Sequence, residues 1–467
     1  MTDVLLINPY AKSTTWASGY RVMPLGLSYI ASFLEQSGVI VKALDLNINH
    51  LSSQELKKII LRDKPRLVGI TATTPMVKSS WQLAELIKET IDTKIVLGGP
   101  HPSALPEESA SLPQIDFVIN HEGEETMAEL TKAIFNHQPT TQIPGISYKK
   151  GQQVINNLPR PYIKNLDSLP FPARHLFPVK KYRPSQPLLS MRYPAAHILT
   201  SRGCPYGCNF CYKGVFGRTY RTRSVESVLN EWEILVKKYK VKEIEIVDDN
   251  FALDVSRAIK ICEGIIRRKL VVPWATYSGI RVDHPHSGEL IKLMKKAGCY
   301  RIAFGVESGS DKVLSRIEKK ISTRQVQKAV ATAKEAGFLT MAYCMVGNIG
   351  EDRQTMQQTV DFAKNLGCDF AQFTVSTPFP GTALYRQVLE EGRLLITDWD
   401  RFDNMGGKAF FEIGSVRKDD VEQMRSKAYW QFYTQPRVLL TLGRKMVENP
   451  RMIQFFLPKL LSAIKRS

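Results

Sequence analysis

The run Cys204-Pro205-Tyr206-Gly207-Cys208-Asn209-Phe210-Cys211 spaces three thiols as C-x-x-x-C-x-x-C. Thiolates so packed are metal ligands far more readily than a disulfide framework, and an odd total of seven cysteines, none in the first 203 residues, also points to a reducing compartment. Zinc in a structural site asks for a fourth Cys or His at comparable spacing; His284 stands 73 residues beyond Cys211, and His284 and His286 flank a proline. Three thiolates can instead hold an iron-sulfur cluster and leave one iron without a protein ligand, which opens that iron to a substrate or cofactor. The other four, Cys262, Cys299, Cys344 and Cys368, sit in apolar stretches and read as buried small hydrophobes.

Elements must position such a triad, and two series of them are visible. Residues 1–140 alternate short Val/Ile/Leu runs (4–8, 39–46, 67–71, 94–97, 117–119) with helical patterns such as PLGLSYIASFLEQSG, which implies a doubly wound, Rossmann-like parallel sheet covered on both sides. Ligands of such sheets bind at the carboxyl ends of the strands. Those ends here carry Thr73, Gly98, Gly99 and Gly123, small residues that let a bulky ligand approach the backbone. Nine prolines between Thr141 and Thr200 disfavour helix and central strand, so residues 141–196 read as an irregular linker. From residue 197 to 385 a second series follows, with strands AHILT, EIEIVD, WATYSG, RIAFGV, LTMAYCMV and FAQFTVS, each leading into a helical stretch. Six βα units suggest a partial (βα)6 barrel of the TIM type, with its site at the strand ends. Residues 386–467 read as a basic helical region.

With strands assigned, the triad falls directly after the first strand of the second series. That arrangement resembles the radical S-adenosylmethionine enzymes. VDDNF (247–251), GVESG (305–309), MVGNIGE (345–351) and TPFPGT (377–382) lie after the second, fourth, fifth and sixth strands, where the family carries its binding motifs. In the first half NPY, LDLN, GGPHPSALPEE and HEGEETMAEL are similar to the cobalamin-binding domain of one large subgroup. The resemblance, which spans about residues 1–385, implies a [4Fe-4S] cluster on Cys204, Cys208 and Cys211, with S-adenosylmethionine chelating the open iron. It also implies Phe210 against the adenine, Glu307 near the ribose or amino group, and Val346 and Gly347 along the adenine edge. Asp248 and Asp249 are read either as helix caps or as cofactor contacts. Glu307, straight after an apolar strand, is better placed to face the barrel mouth. His101 and His121 are either backbone-satisfied loop histidines or neighbours of the corrin. The mutase-type pattern Asp-x-His-x-x-Gly is absent, so the expectation is a cobalamin without a histidine ligand.

The function expected from this resemblance is methylation of an unreactive carbon. One electron, from a donor such as flavodoxin or ferredoxin, enters the cluster; S-adenosylmethionine is cleaved to methionine and a 5′-deoxyadenosyl radical that takes hydrogen from the substrate; methylcobalamin supplies the methyl group. Cyclisation, rearrangement or oxidation without methyl transfer would share every motif. An iron-sulfur sensor or electron carrier would need only the triad. A methylthiotransferase would need three further cysteines in the first domain.

Charge bears on partners. The net charge is +19; residues 1–140 hold 12 basic and 15 acidic residues, a net of −3, so the remainder carries +22. No helix-turn-helix, zinc-finger or RNA-binding signature accompanies it, and nucleic acid is not expected. A small-molecule or lipid-like substrate and a cytoplasmic location fit a chain with no long apolar run. The basic, apolar segment 437–467 is either a helical lid over the barrel or a peripheral contact with an anionic membrane.

Overall fold

The computed structural model describes residues 2–11, 22–183, 191–276, 278–283 and 288–448. Its first sheet contains β1 (Val4–Asn8), β2 (Val41–Asp45), β3 (Leu67–Thr71), β4 (Lys94–Gly98), β5 (Phe117–Ile119), β6 (Ile146–Lys150) and β7 (Gln153–Asn156), in the order β2-β1-β3-β4-β5-β6-β7. The first five strands are parallel. Side chains alternate across them. Leu5 and Ile7 of β1, with Val68 and Ile70 of β3, pack under the helices Ser53–Asp63 and Val77–Thr90. Val4, Leu6 and Leu67 pack under Leu25–Gln36 and Glu124–Phe135. Each such fully buried aliphatic stabilises the fold by roughly 1.5–3 kcal/mol.

Two expectations are corrected here. The sheet is mixed, because β6 pairs antiparallel with β5 and β7 antiparallel with β6. Both strands lie inside the segment read as an irregular linker. Its prolines flank this hairpin at Pro144 and Pro159 and never interrupt it, and Gly151, at φ 62, makes its turn. Proline density averaged over the whole segment hid an eleven-residue stretch, 146–156, that contains none.

A short antiparallel pair, β9 (Ser201–Arg202) and β10 (Arg221–Thr222), follows β8 (Ala195–Ile198). β8 then joins β11 (Glu243–Ile246), β12 (Trp274–Thr276), β13 (Cys299–Glu307), β14 (Leu339–Val346) and β15 (Phe370–Val375) in an all-parallel sheet in the order β15-β14-β13-β12-β11-β8. This is the expected six-stranded partial barrel. Ile244 and Ile246 join the core beneath the helix Val225–Lys237, where Trp232 meets Trp274 edge to face at 6.0 Å. The alternate residues Glu243 and Glu245 point the other way: Arg301 Nη2 donates to Glu245 Oε1 at 2.8 Å and the Tyr300 hydroxyl donates to Glu243 at 2.8 Å. Cys262, Cys299, Cys344 and Cys368 are all buried, and burial pushes the Cys262 and Cys368 thiols up to about 12, so these four are neutral packing groups.

An open barrel leaves a free strand edge at β15, a liability wherever unpaired backbone groups remain. The helix Lys418–Tyr433 covers it. Arg425 Nε donates to Phe373 O at 3.1 Å, Phe373 N–H to the Tyr429 hydroxyl at 3.2 Å, and the Tyr433 hydroxyl to Ala371 O at 2.8 Å. Residues four apart on one helix face thus stand in for the missing strand. Among the described residues no helix is long and apolar enough to cross a membrane.

Candidate active site

The carboxyl ends of the two sheets face a single cavity of about 640 Å³, within the usual range for ligand sites. The first sheet supplies Asn8, Thr73, Gly98, Gly99, His121 and Gly123 to its lining; the barrel side supplies Arg202, Cys211, Lys213, Phe216, Val247 and Asp249.

The triad sits on the loop between β9 and β10. Its entry glycine is obligatory: Gly203 has φ 84, and a Cβ there would lie 2.2 Å from Thr219 O. Asn209 N–H donates to Ile317 O at 3.2 Å and Leu384 N–H to Asn209 O at 2.9 Å, which ties the loop to the later barrel elements. Cys208 is buried, Cys204 half-buried, and Cys211 presents its accessible surface to the cavity. Walled by protein there, the Cys211 thiol is pushed up by burial, while the Lys213 ammonium draws it down. Burial works against the Lys213 charge, but the three thiols, Cys211 foremost, lift its pKa above the ordinary lysine value. Asp249 shares this corner, its carboxyl pushed up by burial and eased by Lys213. Among the described residues no three Cys, His, Asp or Glu side chains converge tightly enough to hold one metal ion.

Other expected residues are placed as follows. Phe210 packs on the cluster of Leu314, Ile317 and Met345, which brings it beside the carboxyl end of β14, where Val346 is buried and a Cβ at Gly347 would lie 3.0 Å from Val421. Glu307 is not among the cavity's lining residues; it holds φ 62, unusual for a residue with a side chain, and accepts from Lys319 Nζ at 2.7 Å. Neither Asp248 nor Asp249 caps a helix. Asp254 caps the helix Val255–Arg267, whereas Asp248 is buried and accepts from Thr200 N–H and the Ser201 hydroxyl, both at 2.6 Å, and from the Thr200 hydroxyl. His101 is buried with both ring nitrogens engaged, Nε2 with Glu108 at 2.9 Å and Nδ1 with Thr74 at 3.3 Å. Its partners are side chains, where backbone was one of the two expectations. His121 lines the cavity and its Nδ1 meets the Gly214 carbonyl of the cysteine loop.

Sequence reasoning missed the clamp that fixes the cysteine loop to the first sheet. Arg202 Nη1 donates to Glu122 Oε1 at 2.8 Å and its Nη2 to Glu124 Oε1 at 2.6 Å. Arg221 Nη1 also reaches Glu122 Oε2, at 2.8 Å, and Ile163 N–H donates to the same oxygen at 2.8 Å. All four charged side chains are buried, and Arg202 lies between the rings of Tyr29 and Phe216 at 5.2 and 5.0 Å. Glu122 and Glu124 had stood out only as the end of a strand, because their partners come from β9 and β10, far along the chain. Lys213, two residues beyond Cys211, was equally unmarked.

The MVGNIGE loop yields a pH prediction. Glu351 Oε2 accepts Asn348 N–H at 2.8 Å, and burial pushes its carboxyl up to about 8 against these backbone bonds. The folded chain then keeps a proton that the unfolded chain releases near 4.5. Stability from this group is full below that value and is lost as pH rises through 8. In urea titrations the wild type should lose stability relative to Glu351→Gln, which cannot ionise, steadily from pH 5 to pH 8; a difference independent of pH would contradict the neutral assignment.

The cavity has room for a bulky ligand close to the backbone and one buried hydroxyl to meet it. Gly99 is held at φ 106, where a Cβ would meet Ala72 O at 2.8 Å; at Gly26 a Cβ would touch nothing within 4 Å; and Thr73 Oγ1 is buried without a protein partner. Three cysteines on the facing loop offer the donors of an iron-sulfur cluster.

Comparison with known proteins adds to this geometry. The radical SAM superfamily model matches residues 198–363 and the B12 binding domain model residues 14–131. The chain is 34% identical to an uncharacterized methyltransferase, PH0819, of Pyrococcus horikoshii, over 94% of each chain. It is 28% identical to the anaerobic magnesium-protoporphyrin IX monomethyl ester cyclase of Rubrivivax gelatinosus, over 86% of this chain and 72% of that one. Its fold is similar to the radical S-adenosylmethionine methyltransferase TsrM of Kitasatospora setae, solved with cobalamin and a [4Fe-4S] cluster bound: TM-score 0.73, 20% identity, 93% of this chain and 90% of that one.

Proposed function

The chain belongs to the B12-binding radical S-adenosylmethionine enzymes, with a [4Fe-4S] cluster, S-adenosylmethionine and cobalamin as cofactors, and on that premise we propose that it methylates an unactivated carbon of a small or lipid-like substrate. The observation that carries this reading is the shared cavity, which has the first sheet's strand ends on one wall and the cysteine loop on the other. When bound, the cluster with S-adenosylmethionine supplies one-electron chemistry at an unreactive carbon, and the corrin supplies a transferable methyl group.

The chain's own residues hold, orient and screen these groups. Cys204, Cys208 and Cys211 ligate the cluster and leave one iron open. Phe210, Asp249, Glu307, Val346 and Gly347 form the S-adenosylmethionine side, where Lys319 Nζ donates to Glu307 and fixes it in place. Thr73, Gly98, Gly99 and Gly123 bring backbone and a free hydroxyl to the corrin. The clamp from Glu122 and Glu124 to Arg202 and Arg221 sets the distance between the two walls, and apolar residues such as Leu6, Ile30, Val96 and Met127 keep water from the reacting groups. The enzyme needs a reductant, for which a flavodoxin or ferredoxin is the proposed donor.

The similarity to a cyclase favours a second reading, radical chemistry without methyl transfer. Incubating the reconstituted enzyme with cell extract and methyl-deuterated S-adenosylmethionine separates the two by mass spectrometry. Methylation gives a product heavier by one labelled methyl; a new product without label would replace this reading with the second.

A further inference from the structure

The positive surplus beyond residue 140 has a place in the fold. The chain segment before β11 reads KKYKVK (237–242), that before β12 reads RRKLVVP (267–273) and that before β13 reads KLMKKAG (292–298), with no acidic residue in any of them. Because these strands are parallel neighbours, all three segments lie side by side at the amino-terminal end of the barrel, the end opposite the cavity. Some of this charge is local in purpose: Lys237 pairs with Glu233 and Arg268 with Glu226, and a base or two at each helix end complements the last carbonyls. The remainder exceeds that need. Lys240 and Lys269 lie beyond their helix ends, Lys296 adds to Lys295 in the same last turn, and all three are exposed and make no ion pair among the described residues.

Apolar side chains share this surface. Val271, within RRKLVVP, is 49% exposed. The helix Pro436–Glu448 is fastened to the same end by Arg437, whose Nη1 donates to Gly367 O at 2.9 Å and Cys368 O at 2.6 Å, just before β15. Val438 and Leu442 are its buried contacts, while Leu439, Leu440 and Val447 turn outward at 41%, 67% and 84% exposure. Of the segment expected to be a lid over the barrel or a membrane contact, this helix covers the amino-terminal end of the barrel, where Arg437 holds it, and not the cavity end. The expected membrane residues beyond it, in 449–467, lie outside the described residues.

We propose that the amino-terminal end of the barrel is a docking surface for an anionic lipid bilayer. Bases interleaved with exposed aliphatic side chains are the composition that lies in a headgroup region, where bases meet phosphates and aliphatic groups enter the acyl boundary. Nucleic acid would be served by the bases alone and would gain nothing from Leu439, Leu440, Val447 and Val271. The surface anchors the protein and leaves the cavity facing away from the bilayer. The proposal is independent of the reaction catalysed.

Cosedimentation of the full-length protein with vesicles tests it, using phosphatidylcholine alone, phosphatidylcholine with phosphatidylglycerol, and a DNA duplex as competitor. The protein should pellet with the anionic vesicles at low salt and be released at high salt. Lys240→Gln/Lys269→Gln/Lys296→Gln should weaken partitioning about fivefold per charge removed, roughly a hundredfold in total. Val271→Glu/Leu440→Glu should weaken it while leaving the circular dichroism spectrum and melting temperature unchanged, since both side chains are exposed. Protein that stays in the supernatant with anionic vesicles at low salt would overturn the proposal. So would undiminished binding by either variant, or displacement by DNA with no sensitivity to the aliphatic substitutions.

Discussion

Replacing Cys204, Cys208 and Cys211 together by Ala should abolish the iron-sulfur cluster. After anaerobic reconstitution the wild type should carry roughly four irons per chain and the broad absorption of thiolate-bound iron, and the triple variant neither. The physical ground is the difference between two groups of thiols. The triad lies on one loop, with Cys211 open to the cavity beside Lys213. Cys262, Cys299, Cys344 and Cys368 are buried and lie apart, in the helix Val255–Arg267, in β13, in β14 and just before β15, so no one loop presents three of them. Ala at any of these four should change iron content little. If the triple variant keeps its iron while one of those four variants loses it, the assignment fails.

The second large effect concerns the clamp. Arg202→Met leaves Glu124 without its arginine and Glu122 with Arg221 as its remaining arginine partner, in a region where all of these side chains are buried. Removing one member of a buried ion pair costs about 3–5 kcal/mol, because the remaining charge stays desolvated. Urea unfolding should show that loss. Arg218→Met, at an exposed position on the same loop, should stay within about 0.5 kcal/mol of wild type. Since Arg202 spans the two walls of the cavity, the variant should also bind cobalamin more weakly. A cost below about 1 kcal/mol would mean that the two domains are held together elsewhere.

Much of this architecture was legible in the sequence, for identifiable reasons. In the first sheet β1, β3 and β4 are short runs dominated by Val, Ile and Leu, and the six barrel strands are short runs between helical patterns, so both series were apparent, and the triad was visible because its spacing is local. The clamp was hidden because Glu122 and Arg202 are 80 residues apart, and no local pattern records a buried ion pair between domains. The interior Glu243 and Glu245 were in part readable: EIEI alternates, so one face of β11 had to be charged, but nothing local says that Arg301 and Tyr300 meet that face. The helix at 418–433 shows the same limit. Arg425, Tyr429 and Tyr433 recur every four residues, yet nothing local says that their polar tips serve the edge of β15. Histidines were the least decidable. His101 and His121 both follow strands, and only the fold separates the one locked between Thr74 and Glu108 from the one that lines the cavity.

The central claim, that one cavity holds cobalamin against the cluster without a histidine ligand, is tested most directly by electron paramagnetic resonance of the reconstituted enzyme with cobalt(II) cobalamin. Before reduction the cobalt spectrum should lack nitrogen superhyperfine splitting, because the chain has no Asp-x-His-x-x-Gly motif and His101 has both ring nitrogens engaged. After reduction of the cluster both signals should broaden through mutual magnetic coupling, since Gly99 and Cys211 line the same space. Imidazole splitting that disappears in His121→Ala, or two signals that remain sharp and independent when both centres are paramagnetic, would contradict the account.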